Sequence, residues 1–316
     1  HISLQSVALR EGSRGFEVNK NKLKGLAGTA NAQIVGYGQW TDVVSVSSVG
    51  ESLYNFYGFV CDGVYKDLED LQTSPKPAKY PANGVFDRTN TVWVGDVKYK
   101  DISGPDGVPD GVIDDYDKTN IGSPMPKFTF GWTNTFRYKN FDLSVFINGS
   151  YGNKVYNYLS MKLTHMNSPW TNQLNAVNGR AQLVPINPNK VYEDGTMWYN
   201  DVSNVMVANP GASIPRATIN DPNDNDRISD RYIEDGSYIR LKNISLGYTF
   251  PKKTIDKLGL SNLRIYANIQ NLLTITGYDG YDPEIGASTS SVNVYGLDNG
   301  RYPSPTVYSF GLNVSF

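Results

Sequence analysis

Residues 128 to 151 read FTFGWTNTFRYKNFDLSVFINGSY, and the folding of this stretch decides the architecture of the chain. Turned about Lys139 and Asn140, it puts Phe128, Phe130, Trp132, Phe136, Tyr138, Phe141, Leu143, Val145, Ile147 and Tyr151 on one face, interrupted by Asn134 and Gly149. The other face carries Thr129, Gly131, Thr133, Thr135, Arg137, Asp142, Ser144, Asn148 and Ser150, with Phe146 the one apolar intruder. Both arms agree on the oily side, the period-two signature of paired strands. At roughly 3.3 Å per residue and a tilt of about 45°, each arm rises on the order of 25 Å, the height of the apolar band of a membrane barrel. Soluble strands are usually much shorter. Tyr138 and Phe141 at the turn, with Phe128 and Tyr151 at the open end, stand where aromatic girdles belong.

Composition narrows the choice. The chain has 316 residues, 39% hydrophobic and 19% charged, with Tyr 22 and Gly 30. No window approaches the roughly 18 consecutive apolar residues of a helical span, so a membrane reading must be a β reading. A net charge of −2 with scattered basic residues gives no case for nucleic acid. Cys61 stands alone, which rules out an intrachain disulfide framework. His1-Ile2-Ser3 carries no signal peptide and suggests a piece of something longer.

Three further stretches alternate. Ser237 to Phe250 sets Ile244, Leu246, Tyr248 and Phe250 against Asn243, Ser245, Gly247 and Thr249, with Ile239 and Leu241 out of phase, which predicts a bulge or a segment standing clear of lipid. Leu263 to Thr276 sets Leu263, Ile265, Ala267 and Ile269 against Arg264, Tyr266, Asn268 and Gln270. The chain closes with Thr306, Tyr308, Phe310, Leu312, Val314 and Phe316 on one side and Ser309, Gly311, Asn313 and Ser315 on the other. Earlier, Phe16 to Leu23 reads as the end of a rising strand and Gln39 to Val49 as short and β-rich. Short turns belong on the periplasmic side of an outer-membrane barrel and long loops outside. Residues 50–127, 152–236 and 277–305 are then outer loops and 251–262, with one helical turn at Thr254 to Leu258, is periplasmic. Every connection has the right length for its side.

The loops carry the candidate chemistry. From Asp106 the sequence is DGVPDGVIDDYD, which sets Asp106, Asp110, Asp114 and Asp117 at positions 1, 5, 9 and 12 of a calcium-loop template, with Gly111 at the sharp turn. Val108 occupies a ligand position and Asp117 replaces the bidentate Glu, so any Ca²⁺ is held weakly; the plain alternative is a solvated Asp/Gly turn. Trp170, Trp198 and Tyr199 are candidate substrate-binding aromatics, suited to stacking on sugar rings or gripping a peptide. Residues 50–65, GESLYNFYGFVCDGVY, read as rings packed on glycine backbone, a structural role, with sugar stacking the alternative.

The boxes Tyr57-Gly58-Phe59 with Asp62-Gly63, Gly95-Asp96-Val97-Lys98-Tyr99-Lys100-Asp101, Asp110-Gly-Val-Ile-Asp114, Gly122-Ser-Pro-Met-Pro126, Phe128-Thr-Phe-Gly131 and Asn268-Ile-Gln-Asn271-Leu, with the terminal Phe316, resemble the C-terminal part of the SusC/RagA family of TonB-dependent outer-membrane transporters. The resemblance is dense from Gly50 to Phe316 and thin before it. It implies an all-β fold, a transmembrane antiparallel barrel of 22 strands around a plugged lumen, of which this chain supplies about the last third, the plug domain and TonB box lying upstream. It further implies a SusD-like surface lipoprotein as partner, coupling to TonB through the missing part, and import of glycan or peptide. The rivals are a stand-alone porin-like barrel, a soluble glycan-binding β-sandwich, and an enzyme; the last lacks a nucleophile beside a base, since the histidines are His1 and His165.

Overall fold

Alternation with one oily face demands pairing in register, and the chain supplies it. The computed structural model describes residues 2–4, 12–18, 20–26, 32–38, 42–286 and 293–316. Among these, β1 (Ile2–Leu4), β2 (Gly12–Val18), β3 (Phe128–Tyr138), β4 (Phe141–Tyr151), β5 (Tyr238–Thr249), β6 (Asn262–Thr276) and β7 (Val307–Ser315) form a sheet in chain order, every neighbour antiparallel. In β3 and β4, Phe128 faces Tyr151 and Tyr138 faces Phe141, with Lys139 at a positive φ of 51° making the tight turn.

Registers on the remaining strands extend the oily face into rows. Trp132, Ile147, Leu241 and Leu273 make one, Val145, Ile244, Ile269 and Tyr308 the next, and Leu143, Leu246, Ala267 and Phe310 a third. Aromatic belts bound the rows: Phe16, Phe128 and Tyr151 stack at one end, with centroids 4.9 and 5.2 Å apart. Phe141, Tyr248 and Phe250 meet tilted and edge-on at the other, at 4.7 and 5.0 Å. No described helix is long and apolar enough to cross a membrane.

The phase break of β5 is a bulge. Asn243 and Leu241 face the consecutive residues Phe146 and Ile147, so Lys242 is the extra residue, and across from it Asn271 of β6 takes a φ of 52°. The bulge returns Ile239 and Leu241 to the oily face. Phe146, the intruder on the polar face, lies over Gly131, and the Phe130 and Tyr266 rings likewise cover Gly149 and Gly311. Each ring fills the space that a missing side chain leaves.

The chain leaves the sheet at Val18 and returns at Phe128, so the expected strand end at Leu23 is corrected to Val18. Of the segment from Gln39 to Val49, Gln39 to Thr41 lie outside the described residues, and Val43–Ser48 joins a separate four-stranded sheet instead of the wall. The helical turn after Pro251 is present as Lys252–Ile255 and Asp256–Leu258, closed by Gly259 in the left-handed region.

The buried core sits in the long loops. One cluster gathers Val64, Tyr65, Leu71, Trp93, Val94, Val205 and Val207, a second Val44, Phe56, Tyr156, Met161, Tyr232 and Leu297, and a third Phe59, Val97, Tyr99 and Ile113. Connections 19–127, 152–237 and 277–306 all leave from the same end of the sheet, and their described residues fold on one another. Gly58 marks the closeness: a Cβ there would stand 2.4 Å from the Ile228 carbonyl oxygen. The aromatic and glycine run from Gly50 to Tyr65 therefore serves packing, with Phe56 and Tyr65 fully buried.

Candidate functional site

The loop unit is held by a buried polar network that starts from the box at Gly95. Asp96 is fully buried, and its carboxylate accepts hydrogen bonds from Arg216 Nε (2.7 Å), the Trp93 backbone (2.8 Å) and Asn225 Nδ2 (3.2 Å). Burial pushes the Asp96 carboxyl up from its ordinary range and Arg216 opposes that shift. Asn225 returns a bond to the box, accepting from the Val97 backbone at 2.6 Å, and donates to Asp221 at 2.6 Å. Asp221 and Asp226 then bracket His165, at 2.8 Å from Nε2 and 3.0 Å from Nδ1. Burial disfavours the imidazolium, but the hydrogen bonds to Asp221 and Asp226 and their charges raise its pKa to about 9. Both ring nitrogens are committed to carboxylates, so His165 acts as a cationic clamp between two segments of the connection 152–237 and has no lone pair to offer as a base.

His165, Asp221 and Asp226 are also the one group of three or more His, Cys, Asp or Glu among the described residues whose ligating atoms lie within 4.8 Å of one another. The four aspartates of the sequence-predicted calcium loop form no such group. Asp117 is fully buried and accepts from the backbone of Ile102 (2.8 Å), Ser103 (3.2 Å) and Asp114 (2.9 Å). Asp114 caps the short 3-10 turn Asp115–Asp117 through the Tyr116 N–H at 2.8 Å, Asp110 accepts from Val112 at 3.0 Å, and Asp106 is exposed. These carboxylates hold backbone in place, as in a hydrogen-bonded Asp/Gly turn.

The three candidate aromatics separate. Trp198 packs against the first core cluster, and Tyr199 stands edge-on to it at 5.6 Å. Trp170 is 93% exposed. Tyr199 carries the Arg88 guanidinium over its ring at 4.9 Å, while Arg88 Nε donates to Asn200 Oδ1 at 3.0 Å. Arg88 opens onto a hollow of about 590 Å³ between residues 88–89, 166–169 and 217–220, next to Trp170 in sequence. Nothing in the sequence around Arg88 marks it: its partners Tyr199 and Asn200 are remote in the chain and meet it only through loop packing.

On the polar face of the sheet, Arg264 reaches across Gly247 to Asp142 at 2.6 Å, where a Cβ at Gly247 would collide with the guanidinium. Near the loops, Arg240 binds Asp282 (2.5 Å) and Glu284 (2.7 Å), and Lys242 also reaches Glu284 (3.0 Å). The loop after β6 is thus pinned onto the polar face.

No protein-family model matches the sequence. Among curated proteins, the chain is 32% identical to TonB-dependent receptor P3 of Formosa agariphila over 272 residues, 84% of this chain and 22% of that protein. It is 32% identical to TonB-dependent receptor P26 of the same organism over 311 residues, 94% of this chain and 26% of that protein. It is 29% identical to TonB-dependent receptor SusC of Bacteroides thetaiotaomicron over 209 residues, 65% of this chain and 17% of that protein. Among solved structures, the RagAB peptide transporter matches with a TM-score of 0.61 at 18% identity, covering 99% of this chain and 28% of that one, a likeness of fold. The chain spans about a quarter of the length of the curated relatives P3 and P26.

Proposed function

Because the chain belongs to the TonB-dependent receptors, the family that includes SusC, we propose that it forms part of the wall and outer loops of an energy-coupled nutrient importer in the outer membrane. The observation that carries this reading is the run of apolar rows across β3 to β7 between two aromatic belts, which has no apolar partner among the described residues. Lipid is the surrounding that such a face requires.

The whole receptor is a plugged barrel of 22 strands, with this sheet as one section of its circumference. TonB acts through parts outside this chain. A SusD-like lipoprotein seats on the loop unit, where Val191, Ile186 and Met197 are exposed apolar residues that suit a protein surface. The cargo is an oligomeric nutrient, glycan or peptide.

The test is uptake by cells whose receptor is deleted and then restored. Import of labelled malto-oligosaccharides or short peptides that requires both the receptor and TonB supports the reading. Equal uptake of both cargoes without the receptor would refute it.

A further inference from the structure

We propose that the hollow beside Arg88 takes the C-terminal carboxylate of a short peptide whose last side chain is apolar, an assignment that rests on the importer reading and gives it a cargo class.

The guanidinium is preorganised and uncompensated. Asn200 holds its Nε at 3.0 Å and its carbon stands 4.9 Å from the Tyr199 ring centroid, while both terminal nitrogens lack a hydrogen-bond partner among the described residues. The adjacent carboxylate makes no ion pair with Arg88 and turns to its own loop. Asp87 accepts from the Thr89 backbone (2.7 Å), the Thr89 hydroxyl (2.6 Å) and Asn90 (3.1 Å), bonds that pull its pKa down to about 2. None of the residues lining the hollow is acidic. Two parallel N–H donors on a stacked guanidinium match a carboxylate.

The walls decide which carboxylate. Met166, Pro169, Ala217 and Ile219 make them largely apolar, and Ile219 is 77% exposed. Of the hydroxyls present, Thr89 donates to Asp87 and Thr218 to the Asn220 carbonyl, while Ser168 accepts from the Trp170 N–H at 3.3 Å. A sugar acid would set several hydroxyls against the Met166, Pro169, Ala217 and Ile219 side chains, which offer them no hydrogen bond. A peptide end needs one carboxylate partner and an apolar wall. The walls are tied together, since Thr218 donates to the Met166 carbonyl at 3.1 Å and Arg216 to the Arg88 carbonyl at 3.2 Å.

The experiment is calorimetry on the intact receptor in detergent, titrated with the tetrapeptide Ala-Ala-Ala-Leu as free acid, with its C-terminal amide, and with trigalacturonate. The free acid should bind at least about tenfold more tightly than the amide, the loss of one charge-assisted pair. Arg88→Gln should bring the acid down to the level of the amide and leave the amide unchanged. Equal binding of acid and amide by the wild-type receptor, no binding of the acid, or Arg88-dependent binding of trigalacturonate in preference to the acid would each overturn the assignment. Cell uptake separates the two readings: TonB-dependent import with acid and amide bound equally sinks this subsite alone, and binding as expected without such import sinks the importer alone.

Discussion

Raising the pH should loosen the loop unit, and His165 sets the amount. In the unfolded chain the imidazole titrates near 6.5, whereas between Asp221 and Asp226 it holds its proton to about 9. A raised folded pKa contributes stability that is fully present below 6.5 and is lost as pH climbs through about 9. That shift is worth about 3 kcal/mol, and the pair is shielded enough to keep most of it, because the His165 and Asp221 side chains are only 10% and 7% exposed. The assay is urea unfolding followed by tryptophan fluorescence, since Trp93 lies fully buried in the loop core, repeated from pH 6 to 10. The wild-type transition should weaken across the window by about 3 kcal/mol, and His165→Gln should start lower and stay flat. A wild-type profile with no slope between 6.5 and 9, or a variant with the same slope, would refute the clamp.

Asp117→Ala strips three backbone donors of their acceptor and should cost about 3 kcal/mol in the same unfolding assay, where a loss below about 1 kcal/mol would mean that the turn holds without it. Calcium at millimolar concentration tests the acidic loop: a calorimetric heat that Asp110→Asn removes would make it a calcium site, and no such heat would leave it the hydrogen-bonded Asp/Gly turn. Gly58→Ala drives a Cβ to 2.4 Å from the Ile228 carbonyl and should destabilise the loop unit by about 1–3 kcal/mol, so a variant of unchanged stability would show that the two backbones have room to part.

Most of the wall was legible in the sequence, because a two-sided strand writes its environment into every second residue. The pairing of Phe128 with Tyr151 follows from the pattern and the two-residue turn alone. The bulge was legible as a phase break at Ile239 and Leu241, though the residue responsible, Lys242, was not. The β2 boundary was misplaced by the stretch after Val18, where Lys20 to Leu23 mimic alternation outside the sheet, and Leu23 instead exchanges backbone hydrogen bonds with Gly50 and Glu51. The loop unit was opaque for a different reason. Its contacts join residues far apart in the chain, Asp96 with Arg216 and Arg88 with Asn200, and no local period records such a meeting. Asp117 illustrates the limit: spacing placed it at a ligand position, but burial turned its oxygens to backbone amides.

The most direct test of the membrane wall is electron paramagnetic resonance of the intact receptor in lipid, with a nitroxide attached through cysteine at Val145 or at Ser144. These neighbours face opposite sides, Val145 in the row with Ile244 and Ile269, Ser144 opposite Thr135 and Ser245. The account predicts that the label at Val145 collides with oxygen dissolved in the bilayer and is hidden from a water-soluble nickel chelate, while the label at Ser144 is shielded from the bilayer oxygen. Equal oxygen access at both positions, or chelate access at Val145, would contradict it.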